Sequence, residues 1–343
     1  MSTPSDVGSI ARLNALDAHR ITHLPVLVLH AHTSCNCRCM MCDIWKTAES
    51  RSLRPSDLEA HLDSIRRLGV RWVVFTGGEP LLNPALPLLC AILRNEGIRL
   101  TLLTTGILLK KQAREIAAVF DDVIISLDGP ESIHNSIRRV DNAFALIMAG
   151  IAAVKECNAA IRITARTTVQ KANCLYLRET VQAAKTLQLD GISFLAADIE
   201  SEAFNRPTSW PVGRQNQVAL SASDLTVLEI EINALIREHA ADIQSGFIAE
   251  SQEKLHRIIR HFRVHLGMES GKAPRCNAPW VSAVVETDGT VRPCFFHPPI
   301  GNIRQASLEE VINSDAALQF RANLDIPRNQ TCRRCVCSLN YRS

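Results

Sequence analysis

An α/β fold built on a parallel sheet is predicted by two observations. Short β-branched runs alternate with amphipathic helical stretches six times between Val26 and about Ala196. Beyond Gly271 the pattern changes to Cys, Pro and short strand-like pieces, as a second, smaller unit would require. A third observation bears on chemistry. Of the 12 cysteines, four crowd into Cys35–Cys42 and five lie from Cys276 onward.

The strands are expected at Val26–His30, Arg71–Phe75, Arg99–Thr104, Asp122–Ser126, Arg162–Val169 and Gly191–Ala196. Between the first two, Ser56-Asp57-Leu58-Glu59 has the spacing of a capping box, and Leu58, Leu62, Ile65 and Leu68 follow at helical intervals. Further helices are expected near Leu86–Asn95, Lys111–Phe120, Ala143–Cys157 and Leu175–Leu187. Strands separated by helices pair in parallel through right-handed crossovers, giving a sheet that is open or curled into a partial barrel. Such folds carry their active site at the C-terminal ends of the strands. Asp198–Gly213 reads as a loop. Ser221-Ala222-Ser223-Asp224 then starts a helix carrying the stripe Leu225, Leu228, Ile232 and Leu235, and Ser251–Leu266 forms a second, basic one. Val281–Glu286, Asp288-Gly289 and Thr290-Val291 read as a β-hairpin.

Composition narrows the function. With 46% hydrophobic and 21% charged residues over 343 positions, the chain resembles an ordinary globular protein. Its net charge, 38 − 35 = +3, does not advertise nucleic acid or an anionic membrane. Met1–Arg20 lacks a signal-peptide core and no apolar run is long enough to span a bilayer, so a cytoplasmic location is expected. In a reducing compartment clustered cysteines point to metal or catalysis rather than disulfides. Cys90, Cys157 and Cys174 are scattered and read as small buried hydrophobes.

Cys35, Cys39 and Cys42 follow the first strand with C-x3-C-x2-C spacing, and Cys37 falls out of phase as a bystander. Three thiolates on one loop can hold a cubic iron–sulfur cluster and leave one iron open, whereas zinc usually takes paired C-x2-C or Cys/His units. Thr76-Gly77-Gly78-Glu79-Pro80 follows the second strand; paired glycines allow close backbone approach, and a carboxylate beside them can accept from an ammonium group. Ser126-Leu127-Asp128-Gly129-Pro130 follows the fourth strand, then His134-Asn135-Ser136-Ile137-Arg138, and Arg166 lies on the fifth.

In this order the residues resemble the radical S-adenosylmethionine (SAM) superfamily over about Val26 to Ala196. The resemblance implies a partial (β/α)6 TIM-like barrel whose Cys35, Cys39 and Cys42 hold a [4Fe–4S] cluster with an open site. It further implies that Met41, Gly77, Gly78, Glu79, Ser126, Arg138 and Arg166 bind SAM. Two residues depart from the family pattern: Met41 stands where an aromatic is common, and Thr104-Thr105-Gly106 where Thr-Asn-Gly is common. Cys276, Cys294, Cys332 and Cys335 resemble the SPASM/twitch extension, which implies one auxiliary [4Fe–4S] cluster in a small cysteine-rich hairpin/helix domain; a structural zinc ribbon is the alternative. Cys337 is left as a ligand, a spare thiol or a hydrogen-atom donor.

The expected division is an N-terminal extension (1–24), the partial barrel (25–200), a helical linker (201–270) and the auxiliary-cluster domain (271–343). The resemblance implies reductive cleavage of SAM to a 5′-deoxyadenosyl radical, fed by a flavodoxin- or ferredoxin-type donor. A small polar substrate of sugar, aminocyclitol or nucleoside type is expected, with oxidation, epimerisation or decarboxylation as the outcome. Asp198 is the candidate proton acceptor and Cys337 the candidate hydrogen donor, with Glu200 beside Asp198. Ribosomal peptide maturation is the alternative enzyme reading, disfavoured because only about 25 residues precede the first strand. A non-catalytic iron–sulfur or zinc module is the remaining one.

Overall fold

Alternation of fully and half-buried side chains along the central strands sets the architecture: one face of the sheet is sealed by helices and the other is left open. The computed structural model describes residues 17–206 and 208–342, so most of the expected N-terminal extension, residues 1–16, lies outside the described residues. The parallel strands are β1 (Val26–His32), β2 (Trp72–Gly77), β3 (Arg99–Thr104), β4 (Asp122–Ser126), β5 (Arg162–Val169) and β6 (Ile192–Ala196), each paired to the next in chain order. The crossovers are α1 (Pro55–Glu59) with α2 (Leu62–Arg67), α3 (Leu86–Asn95), α4 (Ala113–Val119), α5 (Glu131–Arg138) with α6 (Ala143–Cys157), and α7 (Leu177–Thr186).

The first helix differs from its expected start. Pro55 occupies its first turn, Arg54 is the N-cap and the Asp57 carboxylate accepts from the Arg54 N–H at 3.0 Å, so Ser56 lies inside the helix instead of capping it. The stripe then breaks at Ala60–His61 into two short helices. Cys90 and Cys174 are buried as expected, but Cys157 is exposed at the end of α6.

After β6 come α8 (Val212–Val218), α9 (Ala222–Glu238), α10 (Ala240–Ser245) and α11 (Gln252–His265). Ser221 caps α9 in a reciprocal box with Asp224, as its sequence predicts. The C-terminal part contains α12 (Ala278–Val281), β7 (Ser282–Val285), β8 (Thr290–Arg292), β9 (Gly301–Asn302), α13 (Leu308–Ile312), α14 (Asp315–Asn323) and α15 (Gln330–Arg333). The hairpin forms as expected, yet it does not stand apart. β7 pairs in parallel with β1, Val26 opposite Ser282 through Leu29 opposite Val285, and the sheet runs to nine strands in the order β6-β5-β4-β3-β2-β1-β7-β8-β9. Among the described residues no helix is long and apolar enough to cross a membrane.

Asp57 also reaches the C-terminal part, accepting from Arg304 Nε and Nη2 at 3.1 Å. Burial pushes its carboxyl up, but hydrogen bonds from Arg54 and Arg304 outweigh this and hold it at about 2. A carboxyl lowered on folding stabilises above its unfolded value of about 3.9 and loses that contribution as pH falls through the folded value. Asp57→Asn is therefore expected to cost about 1–2 kcal/mol at pH 7, Arg54 being exposed. Urea midpoints should show that gap closing between about pH 4 and pH 2.

Candidate active site

The cysteine loop leaves β1 at His32 and is seated on the glycine pair. The Gly78 N–H donates to the His32 carbonyl at 2.8 Å, and Glu79 N–H donates to the Ser34 carbonyl at 2.9 Å. A Cβ on Gly77 would lie 2.6 Å from the His32 oxygen, and one on Gly78 only 2.1 Å from the Ser34 oxygen. Gly77 also has φ +127°, open to glycine at little cost. The close approach read in these glycines is thus first an approach to the chain's own loop. On the other side, Arg38 and Met40 donate their N–H groups to the last carbonyls of α5, Arg138 and Ile137. The open C-terminus of that helix is satisfied by the loop it supports.

Cys37 and Cys39 are buried, Cys35 and Cys42 half-buried. Cys37, out of phase in sequence, hydrogen-bonds to both Cys35 and Cys39. The hydrogen bond from Cys37 and the Arg138 cation favour the Cys39 thiolate. Arg138 Nη1 lies 3.5 Å from Cys39 Sγ, and the Ile44 N–H lies 3.4 Å from Cys42 Sγ. An all-sulfur donor set with N–H groups aimed at its sulfurs suits an iron–sulfur cluster.

Several expected SAM contacts are engaged with the protein itself. Glu79 is fully buried: Oε1 accepts from the Thr104 hydroxyl at 2.8 Å and Leu81 N–H at 3.1 Å, and Oε2 from Thr105 N–H at 2.8 Å. Burial raises its carboxyl, and these donors oppose that. Through these contacts it clamps the end of β2 to β3. The departure at Thr105 has a counterpart, because its hydroxyl donates to Asn36 Oδ1 on the cysteine loop at 3.0 Å. Arg138 forms a buried 2.7 Å ion pair with Asp128, so its guanidinium sits beneath the loop. Ser126 and Arg166 are opposite one another on β4 and β5, half-buried on the open face, with Arg166 Nε donating to Ser193 Oγ at 3.1 Å. Met41 packs, partly buried, against the core.

The Asp198 carboxylate pairs with Arg206 at 2.9 Å and accepts from the Ser201 hydroxyl, both through Oδ2, and so helps to close the turn after β6. Glu200 is likewise held, by His265 at 2.7 Å and by Arg334.

The residues that sequence reasoning missed brace the outside of the loop. Trp210 lies between two guanidinium groups, Arg206 at 3.8 Å and Arg214 at 4.8 Å from the ring centre. Its Nε1–H donates to Asp43 at 2.6 Å, while Arg206 and Arg214 donate to the Met41 and Met40 carbonyls. The available signal was the Arg206-x3-Trp210-x3-Arg214 spacing inside an otherwise polar stretch.

Cys276, Cys294, Cys332 and Cys335 are electrostatic neighbours, brought together from before α12, after β8, on α15 and just after it. Burial pushes the Cys294 and Cys332 thiols up to about 11. His297 Nε2 is 3.4 Å from Cys332 Sγ, a further polar group against sulfur. Four thiols of this kind suit a fully ligated cluster. Cys337 neighbours Cys335 and Cys276; burial raises its thiol, Arg166 and Arg257 oppose that, and it lines a cavity of about 290 Å³ between β6, α11 and the C-terminal segment.

Residues 31–171 match the family model of the radical SAM superfamily, and residues 276–336 match that of the SPASM iron–sulfur cluster-binding domain. The chain is 25% identical to an Fe-coproporphyrin III synthase of Methanosarcina barkeri, over 93% of this chain and 83% of the relative. It is 23% identical to the subtilosin bacteriocin biosynthesis protein AlbA of Bacillus subtilis, over 82% of this chain and 57% of that one. Among solved structures, anSMEcpe with bound AdoMet superimposes with a TM-score of 0.63 at 20% identity, over 90% of this chain and 86% of that one. The same protein has been captured with a Cp18Cys peptide.

Two cubane clusters correspond to about eight iron per chain after anaerobic reconstitution. Gly78→Ala is expected to reduce that to about four, because only the loop seated on Gly78 loses its place; iron and sulfide analysis with circular dichroism checks loss of one cluster in a folded chain.

Proposed function

We propose that this chain, which carries a radical SAM domain followed by a SPASM domain, removes a hydrogen atom from a peptide substrate. When bound, the open-site cluster and SAM supply the hydrogen-abstracting radical, and a flavodoxin or ferredoxin supplies the electron. The observation that carries the peptide reading is that Phe194, Leu195 and Ala196, consecutive residues of β6, line the cavity at the outer edge of the sheet. The start of this edge is covered by residues 247–250, with Ile192 N–H donating to the Phe247 carbonyl and Phe194 N–H to Glu250, so an extended chain would pair only with the end of the strand beyond Phe194. AlbA's role in bacteriocin biosynthesis and the peptide bound to anSMEcpe support this over the sugar-sized metabolite expected from sequence.

In this reading Ser126 and Arg166 hold the cofactor on the open face, where an arginine can bind a carboxylate bidentately. Cys337 faces the substrate and can return a hydrogen atom to it. The S–H bond breaks, a C–H bond forms, and one electron from the donor protein with one proton from solvent restores the thiol. The second reading, a tetrapyrrole substrate, is favoured by the length over which the chain matches the Fe-coproporphyrin III synthase.

Reconstituted protein with SAM and dithionite is to be assayed for 5′-deoxyadenosine with mixed acetylated hexapeptides, with sugars and aminocyclitols, and with Fe-coproporphyrin III. Peptides are expected to stimulate release at least about tenfold above the sugars; stimulation confined to either other class overturns the proposal. Once a peptide is found, Cys337→Ala should retain 5′-deoxyadenosine release but lose deuterium incorporation into peptide from D2O. Incorporation at the wild-type level removes Cys337 as the donor.

A further inference from the structure

The cavity is far more cationic than the chain around it. Arg166, Lys254, Arg257, Lys272 and Arg333 line it, and none of them has a carboxylate ion-pair partner among the described residues. The wall contributes one carboxylate, Glu250, and its Oε2 accepts from the Phe194 N–H of β6 at 2.8 Å. The whole chain has a formal charge of only +3, so overall basicity does not account for this concentration.

Helix α11 carries its own comparison. Arg263, outside the cavity wall, is paired with both Glu229 and Glu269, and Arg260, on the wall, is paired with Glu269. Lys254 and Arg257 go without such partners, although Arg257 is steadied by donating to the Val336 carbonyl at 3.3 Å. Cations gathered in a concave site repel one another and focus a field that an anion relieves. Lys254, Arg257 and Lys272 also fall between the matched segments 31–171 and 276–336, so this charge belongs to the part of the chain that neither family model covers.

We infer that this cavity binds carboxylates of the substrate through Lys254, Arg257 and Lys272, so that the peptide is acidic where it crosses α11. The inference rests on the cavity being the substrate site, and it names what that site selects.

The test is binding to the reconstituted, SAM-loaded protein, followed by fluorescence anisotropy with dye-labelled tetraglutamate and tetraglutamine. Tetraglutamate should bind at least about tenfold more tightly, and its affinity should fall as NaCl rises from about 0.05 to 0.5 M. Lys254→Gln with Arg257→Gln should weaken it by about tenfold or more. Arg237→Gln, which removes an exposed cation of α9, should leave affinity unchanged and so separates local recognition from net charge. Equal binding of the two peptides, or no loss in the double variant, overturns the inference, as does tighter competition by inorganic phosphate than by free glutamate. Binding without stimulated 5′-deoxyadenosine release would overturn the peptide-substrate reading and leave the cavity assignment standing. Release stimulated equally by tetraglutamine would do the reverse.

Discussion

A contact too close to admit a Cβ atom organises this molecule. The carbonyls of His32 and Ser34 press against Gly77 and Gly78, and backbone hydrogen bonds fix the cysteine loop to the end of β2. Glu79 extends that fixed point to β3, and the end of α5 supports the loop from below. Thiols that must present several sulfurs to one cluster need a rigid mount, and a mount made from backbone contacts is independent of rotamers. The side chains then act on charge: Arg138, held by Asp128, puts a cation against Cys39.

Local physics made most of the scaffold legible. β3, β4 and β5, and helices α3 and α6, form over the residues expected, because periodicity and β-branching are written in contiguous sequence. The Ser221 cap was readable for the same reason, whereas the Ser56 signal lost to Pro55 and Asp57, which start the helix after Arg54, two residues earlier. The site was readable only where residue type dictates chemistry, as it does for clustered cysteines. Glu79, Arg138 and Asp198 each have partners distant in sequence or hidden in turns, Thr104, Asp128 and Arg206, which no local pattern announces. The brace around Trp210 joins residues more than 160 positions apart, and no window of sequence contains it.

The two cysteine centres are joined by more than covalent chain. His30 on the open face of β1 stacks on Phe295 at 5.4 Å, and burial, then Arg292, lowers its imidazole to about 4, so it packs as a neutral ring. Arg304 reaches Asp57, and Arg334 reaches Glu200 beyond β6. The C-terminal part is therefore anchored at both ends of the arc, and the cavity beside Cys337 has walls from both parts. A substrate there meets a surface whose shape depends on the whole chain.

The pairing of β7 with β1 has a consequence for synthesis. The strand made first borders one made some 250 residues later, Val26 lying opposite Ser282. Through most of translation the growing chain carries an apolar strand with one edge bare, the kind of edge that other chains can add to. The last fifth of the polypeptide thus closes the sheet as well as gathering the second set of thiols. A ribosome stalled before Ser282 would release a barrel with an adhesive seam.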